Sequence, residues 1–382
     1  MQKPNYKDGS IVNLMSSIKK SFGGSSEYKP LAGFNNSKIA GKTIVLIVID
    51  GLGYEFIQKY GRDTFLSKNL KDKITSVFPA TTASAMTAFS TGVPSQQHGL
   101  TGWFVYLKEL GAVTTVLPFR TRAGNLSLAE NGINYKDIFS QESFFKELGT
   151  PSFYIGSGKY IDSDYSRTAH EGAKRLPFSS LKSFTQQIQK LISDSQRKYV
   201  LAYWDGFDML SHIHGNNSQE VRNHFAMLDK EIKSLSKILK EKNAVLIISA
   251  DHGFIDTGAQ DIVYLENHPR LKETLALPLA GDSRAVYCYV KPGKTKEFEK
   301  YMKTVLKNYC HLYQSKDLLE EGFFGLYKPH EKLLDRIGDY TIIMKKSYIM
   351  KDEVLGEERH NFIGHHSGMS KEEMFVPLVV IE

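Results

Sequence analysis

Cysteine is almost missing from this chain: Cys288 and Cys310 are the two in 382 residues, and neither belongs to a paired CxxC spacing. That excludes a disulfide framework and a thiolate metal site, so both thiols are expected to be free. Long apolar runs are missing too. None approaches the roughly 18 uncharged residues that a membrane span needs, and the opening MQKPNYKDGSIVNLMSSIKK lacks the apolar centre of a secretion signal. The expectation is a soluble, cytoplasmic protein with no membrane span. There is no repeat of solenoid length, no zinc-finger spacing and no RNP-like run, so no specific nucleic-acid partner is expected.

Apolar content is ample. At 41% hydrophobic residues the chain can bury a large core, organised as one big domain or a main domain with a smaller insert. A net charge of +7 and a pI near 9.0 would suit an anionic ligand, yet the 49 basic residues are spread along the sequence and read as ordinary solvated faces.

Residues 1–40 are polar, with a short amphipathic piece at Ile11 to Ile18, and read as an extension packed on the core. The run KTIVLIVID then turns through Gly51 and Gly53 into a helical pattern. An uninterrupted β-branched run suits a strand buried on both faces of a parallel sheet, which places Asp50 at the strand's carboxyl end, where open α/β sheets gather ligands. The same grammar recurs in FYIGSG (153–158), YVLAYWDGFD (199–208), AVLIISADHGF (244–254) and MFVPLVVIE (374–382). Helical patterns such as SLKSFTQQIQKLISDSQ and VRNHFAMLDKEIKSLSKIL lie between them. The expected fold is α/β: a doubly wound, mainly parallel sheet flanked by helices, built from 41–260 and 361–382. From 261 to 360 the pattern changes to a small α+β insert, read as a cap or lid beside the site.

Residues 76–99, SVFPATTASAMTAFSTGVPSQQHG, read as a strand end followed by a helix that opens on Thr81 and Thr82. Its amino end suits an anion, although a run of small residues also serves a plain buried helix. Acids and histidines follow other apolar runs: Asp50, Asp208 with His212 four residues on, and Asp251-His252. Spacing of four puts Asp208 and His212 on one helical face, as two ligands of one metal require. Each alone reads as a turn or a cap, but together they crowd one predicted sheet edge, where structure does not require them. GHHSGMS (364–370) adds His365 and His366 just before the last strand, and chemistry alone does not choose between them.

DG after the first strand, a threonine opening a helix that ends in TG and is followed by HG, Dx3H, DHG, and a late histidine turn before VPL together resemble the type I phosphodiesterase/nucleotide pyrophosphatase family of the alkaline phosphatase superfamily. The resemblance covers about 41–260 and 360–382. It implies two divalent metal ions, usually zinc, flanking a threonine nucleophile. Asp50, Asp251 and His252 would hold one ion, with Thr82 reaching it as alkoxide; Asp208, His212 and His366 would hold the other. The oxygen and nitrogen donors also suit Mn²⁺ or Fe²⁺. Thr82 is preferred to Thr81 because the family nucleophile stands nine residues before the Thr of the helix-ending TG, here Thr91. His366 is preferred to His365 because HSGMS matches the family's late turn.

The implied activity is a metal-dependent phosphoric ester hydrolase, phosphodiesterase- or nucleotide pyrophosphatase-like, acting on a small phosphorylated substrate through a phosphothreonine-type intermediate. A phosphomonoesterase, a phosphotransferase or a phosphonate hydrolase of the same superfamily is the alternative, and a metal-stabilised anion-binding protein is the non-enzymatic one. Ala85 stands where the family pattern is read to place a phosphate-binding Asn, which leaves Arg120, Arg122 and Arg284 as substitute donors. Asp205 and His214 are read as flanking groups, His98 as a loop anchor, and Trp103, Phe104 and Tyr106 as packing or pocket lining. The sequence assigns no oligomeric state.

Overall fold

Thr43–Ile49, TIVLIVI, has every residue buried, which a strand achieves only with neighbours on both sides and helices on both faces. In the computed structural model, which describes residues 1–239, 242–357 and 360–382, it pairs in parallel with Tyr199–Trp204 on one side and Ala244–Ser249 on the other. The full order is Leu70–Thr75, Phe375–Ile381, Ala244–Ser249, Thr43–Ile49, Tyr199–Trp204, Ser152–Ser157, Lys174–Phe178. Phe375–Ile381 alone opposes the other strands, so the sheet is mainly parallel, as the apolar runs predict.

Helices cover the sheet through faces spaced at three and four residues. Gln219–Leu239 buries Val221, Phe225, Leu228, Ile232, Leu235 and Leu239, and Leu181–Ile192 buries Phe184, Ile188, Leu191 and Ile192. The extension supplies a further helix, Ile11–Ser21, with Ile11, Val12, Leu14, Met15 and Ile18 in the main core. Among the described residues no helix is long and apolar enough to cross a membrane. Cys288 and Cys310 are buried free thiols.

A second sheet is antiparallel throughout, in the order Cys310–Gln314, Tyr340–Met344, Ala285–Cys288, Ala280–Gly281, Phe104–Leu107, Ala112–Thr115, Arg120–Thr121. Residues 104–121, which the sequence pattern assigns to the core, therefore share a sheet with the 261–360 segment. The cause is burial: Val105, Leu107 and Val113 are covered, which an isolated two-stranded hairpin does not achieve.

Register positions the site. Ile49 lies opposite Trp204, and Val48 opposite Ser249, so three adjacent parallel strands end flush at one edge. The chain crosses from one side of the central strand to the other between Tyr199–Trp204 and Ala244–Ser249, a topological switch point.

Candidate active site

Asp50 leaves the central strand and the chain turns at Gly51, whose φ of +75° suits glycine and where a Cβ would lie 2.4 Å from the Phe254 ring. The Gly51 N–H donates to Asp251 Oδ1 at 3.0 Å, and the His252 N–H donates to the same oxygen at 3.0 Å. The outer oxygen, Asp251 Oδ2, then faces His252 Nε2 at 3.4 Å, and Asp50 Oδ1 faces that nitrogen at 3.3 Å. Helix Gly206–His214 carries Asp208 and His212 one turn apart, with His212 Nε2 3.5 Å from Asp208 Oδ1. His366 Nε2 is 4.0 Å from the same Asp208 oxygen, and its ring stacks on His252 with centroids 3.8 Å apart.

Thr82 opens helix Thr82–Thr91, and the rest of that helix is buried while Thr82 is only half-buried. Its Oγ1 lies 3.2 Å from His252 Nε2, whereas the Thr81 hydroxyl turns away and donates to Asp282 Oδ1 at 3.2 Å. The two threonines thus serve different partners. All seven residues singled out from sequence (Asp50, Thr82, Asp208, His212, Asp251, His252 and His366) come together at one edge of the main sheet.

Their remaining lone pairs are arranged for a cation. Asp50 Oδ1, Asp208 Oδ1 and Asp251 Oδ2 are buried without a hydrogen-bond partner, and such orphans are uncommon enough to need a reason. Ligand atoms of Asp50, Asp251 and His252 lie within 4.8 Å of one another, as do those of Asp208, His252 and His366. Burial, reinforced by Asp208 and Asp251, holds the Asp50 carboxyl well above its usual range. Burial lifts Asp208 to about 7, partly countered by His252. It also holds His212 down to about 4 and His366 well below its ordinary value, the latter helped by the neighbouring imidazoles. Crowded acids that resist ionising in the empty cluster, beside imidazoles that stay neutral with a lone pair to offer, suit a divalent cation, whose charge would favour the carboxylates. Two of the three imidazoles are oriented from behind: His252 Nδ1 lies 3.1 Å from the Gly253 carbonyl oxygen and His212 Nδ1 2.8 Å from that of Gly364. The residues present therefore fit a divalent-cation centre, with His252 common to both groups and His212 beside them.

His365 is engaged elsewhere, with Nδ1 3.3 Å from the Ser283 hydroxyl and Nε2 3.1 Å from the Phe362 carbonyl oxygen. The three arginines considered as phosphate donors have other partners. Arg284 is buried against Glu373, Arg122 against Asp352 and Glu357, and Arg120 donates to Asn125. Ala85 is fully buried in the main core, so a longer side chain there would meet packed neighbours. Asp205 precedes the first residue of the Asp208 helix, and His214 is exposed at its end. His98 anchors its loop, with Nε2 3.1 Å from the Ser84 carbonyl oxygen and Nδ1 accepting from the Leu100 N–H at 3.1 Å. Phe104 and Tyr106 pack against Arg122 and Tyr289, while Trp103 is 36% exposed. One residue escaped sequence reasoning: the Tyr203 hydroxyl donates to Asp50 Oδ2. A second tyrosine near the end of the apolar run YVLAYW was its only signal.

The sequence model of the type I phosphodiesterase/nucleotide pyrophosphatase family matches residues 44–369. No curated protein matches the sequence. Solved structures of similar fold include murine ectonucleotide pyrophosphatase/phosphodiesterase 5, which is 17% identical, with 88% of this chain and 87% of that one covered and a TM-score of 0.67. An inactive variant of the same murine protein is known in complex with AMP. Phosphonoacetate hydrolase from Sinorhizobium meliloti, in complex with phosphonoformate, is 15% identical, with 89% of this chain and 90% of that one covered and a TM-score of 0.65. At such identities the likeness carries the fold, an alkaline phosphatase-like α/β architecture. The family match spans most of the chain and includes every residue gathered at the site, so this chain belongs to the type I phosphodiesterase/nucleotide pyrophosphatase family of the alkaline phosphatase superfamily and is a hydrolase acting on phosphoric esters or phosphoanhydrides.

Proposed function

We propose that the chain hydrolyses a small phosphodiester or nucleotide pyrophosphate through a phosphothreonine-type intermediate at Thr82, in a site that holds two divalent cations. Asp50, Asp251 and His252, with Thr82, would hold one; Asp208, His212 and His366 would hold the other. Zinc is the family's usual metal, and the carboxylate and imidazole donors also suit Mn²⁺ or Fe²⁺. Bound there, the cations would stabilise the ionised Thr82 hydroxyl and offset charge on the phosphoryl oxygens. The observation that carries the reading is the set of three unpartnered buried carboxylate oxygens on Asp50, Asp208 and Asp251, in a cluster whose His252 Nε2 lies 3.2 Å from the Thr82 hydroxyl.

Thr82 Oγ1 would form a bond to phosphorus as the leaving oxygen departs from the opposite side. Water then cleaves the Thr82 ester and restores the hydroxyl. The first N–H groups of helix Thr82–Thr91 lack intrahelical partners and would receive the phosphoryl oxygens. Positioning and charge stabilisation supply most of what phosphoryl transfer requires. The AMP and phosphonoformate complexes of the structural neighbours support a small substrate of this chemistry. The cytoplasmic placement expected from sequence belongs to the same proposal, and cell fractionation tests it.

Metal-reconstituted protein should turn over bis-p-nitrophenyl phosphate faster than p-nitrophenyl phosphate. Thr82→Ala should keep its metal and lose at least about 10³-fold in kcat. Full turnover by the metal-loaded variant would overturn the nucleophile assignment.

A further inference from the structure

The turn between Ala280–Gly281 and Ala285–Cys288 in the second sheet carries three polar side chains in succession, and each reaches a different part of the site. Asp282 accepts from the Thr81 hydroxyl at 3.2 Å and from the Trp103 N–H at 3.1 Å. Thr81 is the cap on which the helix bearing Thr82 begins. The Ser283 hydroxyl lies 3.3 Å from His365 Nδ1. Arg284 has the widest reach. Its backbone N–H donates to Ser367 Oγ at 3.3 Å, its Nε and Nη2 donate to the two Glu373 oxygens at 2.6 and 3.0 Å, and its Nη1 donates to the Tyr348 carbonyl at 2.6 Å.

Glu373 links the two histidine-bearing loops. Its backbone carbonyl accepts from the Gly253 N–H, next to His252, at 2.8 Å. Its carboxylate accepts from the N–H groups of Gly368 and Ser370, just beyond His366, at 2.7 and 3.2 Å. The Arg284 and Glu373 side chains are 1% and 0% exposed. A buried ion pair is a poor source of net stability, because losing hydration offsets most of the attraction; what it supplies is one permitted arrangement. The His366 turn needs such a constraint. Ser367 adopts a φ of +89°, a region disfavoured for a residue with a Cβ, and a Cβ at Gly368 would lie 2.7 Å from Glu373 Oε2. Ser367 is also bridged to Ala80, two residues before Thr82.

We propose that the Asp282–Arg284 turn sets the spacing between the helix that carries Thr82 and the turn that carries His366. Arg284, through Glu373, is a positioning residue for His366; Asp282, through Thr81, is one for Thr82. The inference rests on the two-cation reading above and adds that the cation set containing His366 depends on a side chain of the second sheet.

The test uses the full-length, metal-loaded chain. Lysine at 284 keeps the charge but cannot span both Glu373 oxygens. Arg284→Lys should weaken one of two cation equivalents by about 10–100-fold, leave the other unchanged and alter the Co²⁺ absorption bands of the weakened equivalent only. Asp282→Asn should retain both equivalents and lower kcat while leaving KM in place. If Arg284→Lys does not fold, the double variant Arg284→Met/Glu373→Gln removes both buried charges together and should show the same selective loss. A folded variant at 284 that binds both equivalents with wild-type affinity and spectrum, or weakens both equally, overturns the inference. Fewer than two equivalents in the wild-type protein would overturn the two-cation reading itself.

Discussion

Asp50 is gripped on one oxygen and bare on the other. Tyr203 donates to Oδ2, while Oδ1 faces His252 without a hydrogen bond. The phenol therefore fixes which oxygen is presented, as partners behind a ligand commonly do. Tyr203→Phe leaves Oδ2 a buried acceptor without a donor, a loss of about 1–3 kcal/mol, and lets the carboxylate rotate. Metal affinity at the Asp50 set should fall about tenfold or more, read by chelator competition, with Thr82 unchanged as nucleophile. Wild-type affinity in that variant would reduce Tyr203 to packing. The contrast with Asp50 itself explains what sequence reveals at this scale. A carboxylate directly after six apolar residues is conspicuous, and so are Asp208, Asp251 and His252 shortly after their runs. Glu373 and Arg284 sit in ordinary polar surroundings in the sequence, 89 residues apart, and only the fold brings them within 2.6 Å.

The helix Thr82–Thr91 and the loop after it hold each other through His98, and that contact is sensitive to pH. Burial holds His98 down from 6.5 to about 3, so it is neutral when folded and takes a proton below 6.5 when unfolded. The stability it contributes is fully present above 6.5 and is lost as pH falls toward about 3. The slope is roughly 1.4 kcal/mol per pH unit well below the upper value. His170, buried and held at about 3, acts in the same direction. Urea unfolding between about pH 7 and pH 5 should show this fall, and His98→Gln should flatten it. An unflattened slope would assign the acid sensitivity to other groups. Element by element, the five strands of the main sheet with long apolar runs are legible as strands because burial on both faces leaves few polar positions. Leu70–Thr75 and Lys174–Phe178 are not. They lie at the two edges, where LKDKIT keeps three consecutive residues exposed, and charge of that kind protects an edge while hiding its strand character.

Two seven-stranded sheets meet at one site, which is why a division by sequence position describes the molecule incompletely. The change of pattern at 261–360 is visible in the sequence, but two strands of four residues in 104–115 alternate too briefly to show which sheet they join. In the fold the segments interlock. Tyr287 donates to the Thr101 carbonyl at 2.8 Å, and Arg336 donates to the carbonyls of Gly99 and Ile138 at 2.9 and 3.1 Å. Phe78, Val113 and Met369 pack in one cluster with Tyr287, Phe324, Ile337 and Ile343. Replacing 261–360 by a short linker would uncover those first three side chains, a loss of roughly 5–9 kcal/mol, against a total stability of about 5–15 kcal/mol for a typical protein. It would also remove Arg284 from Glu373. The shortened chain should therefore bind hydrophobic dye, melt without a cooperative transition and retain no stoichiometric metal. A soluble product that melts cooperatively and still binds two equivalents would show instead that the main sheet is self-sufficient and that the second sheet is an accessory to it.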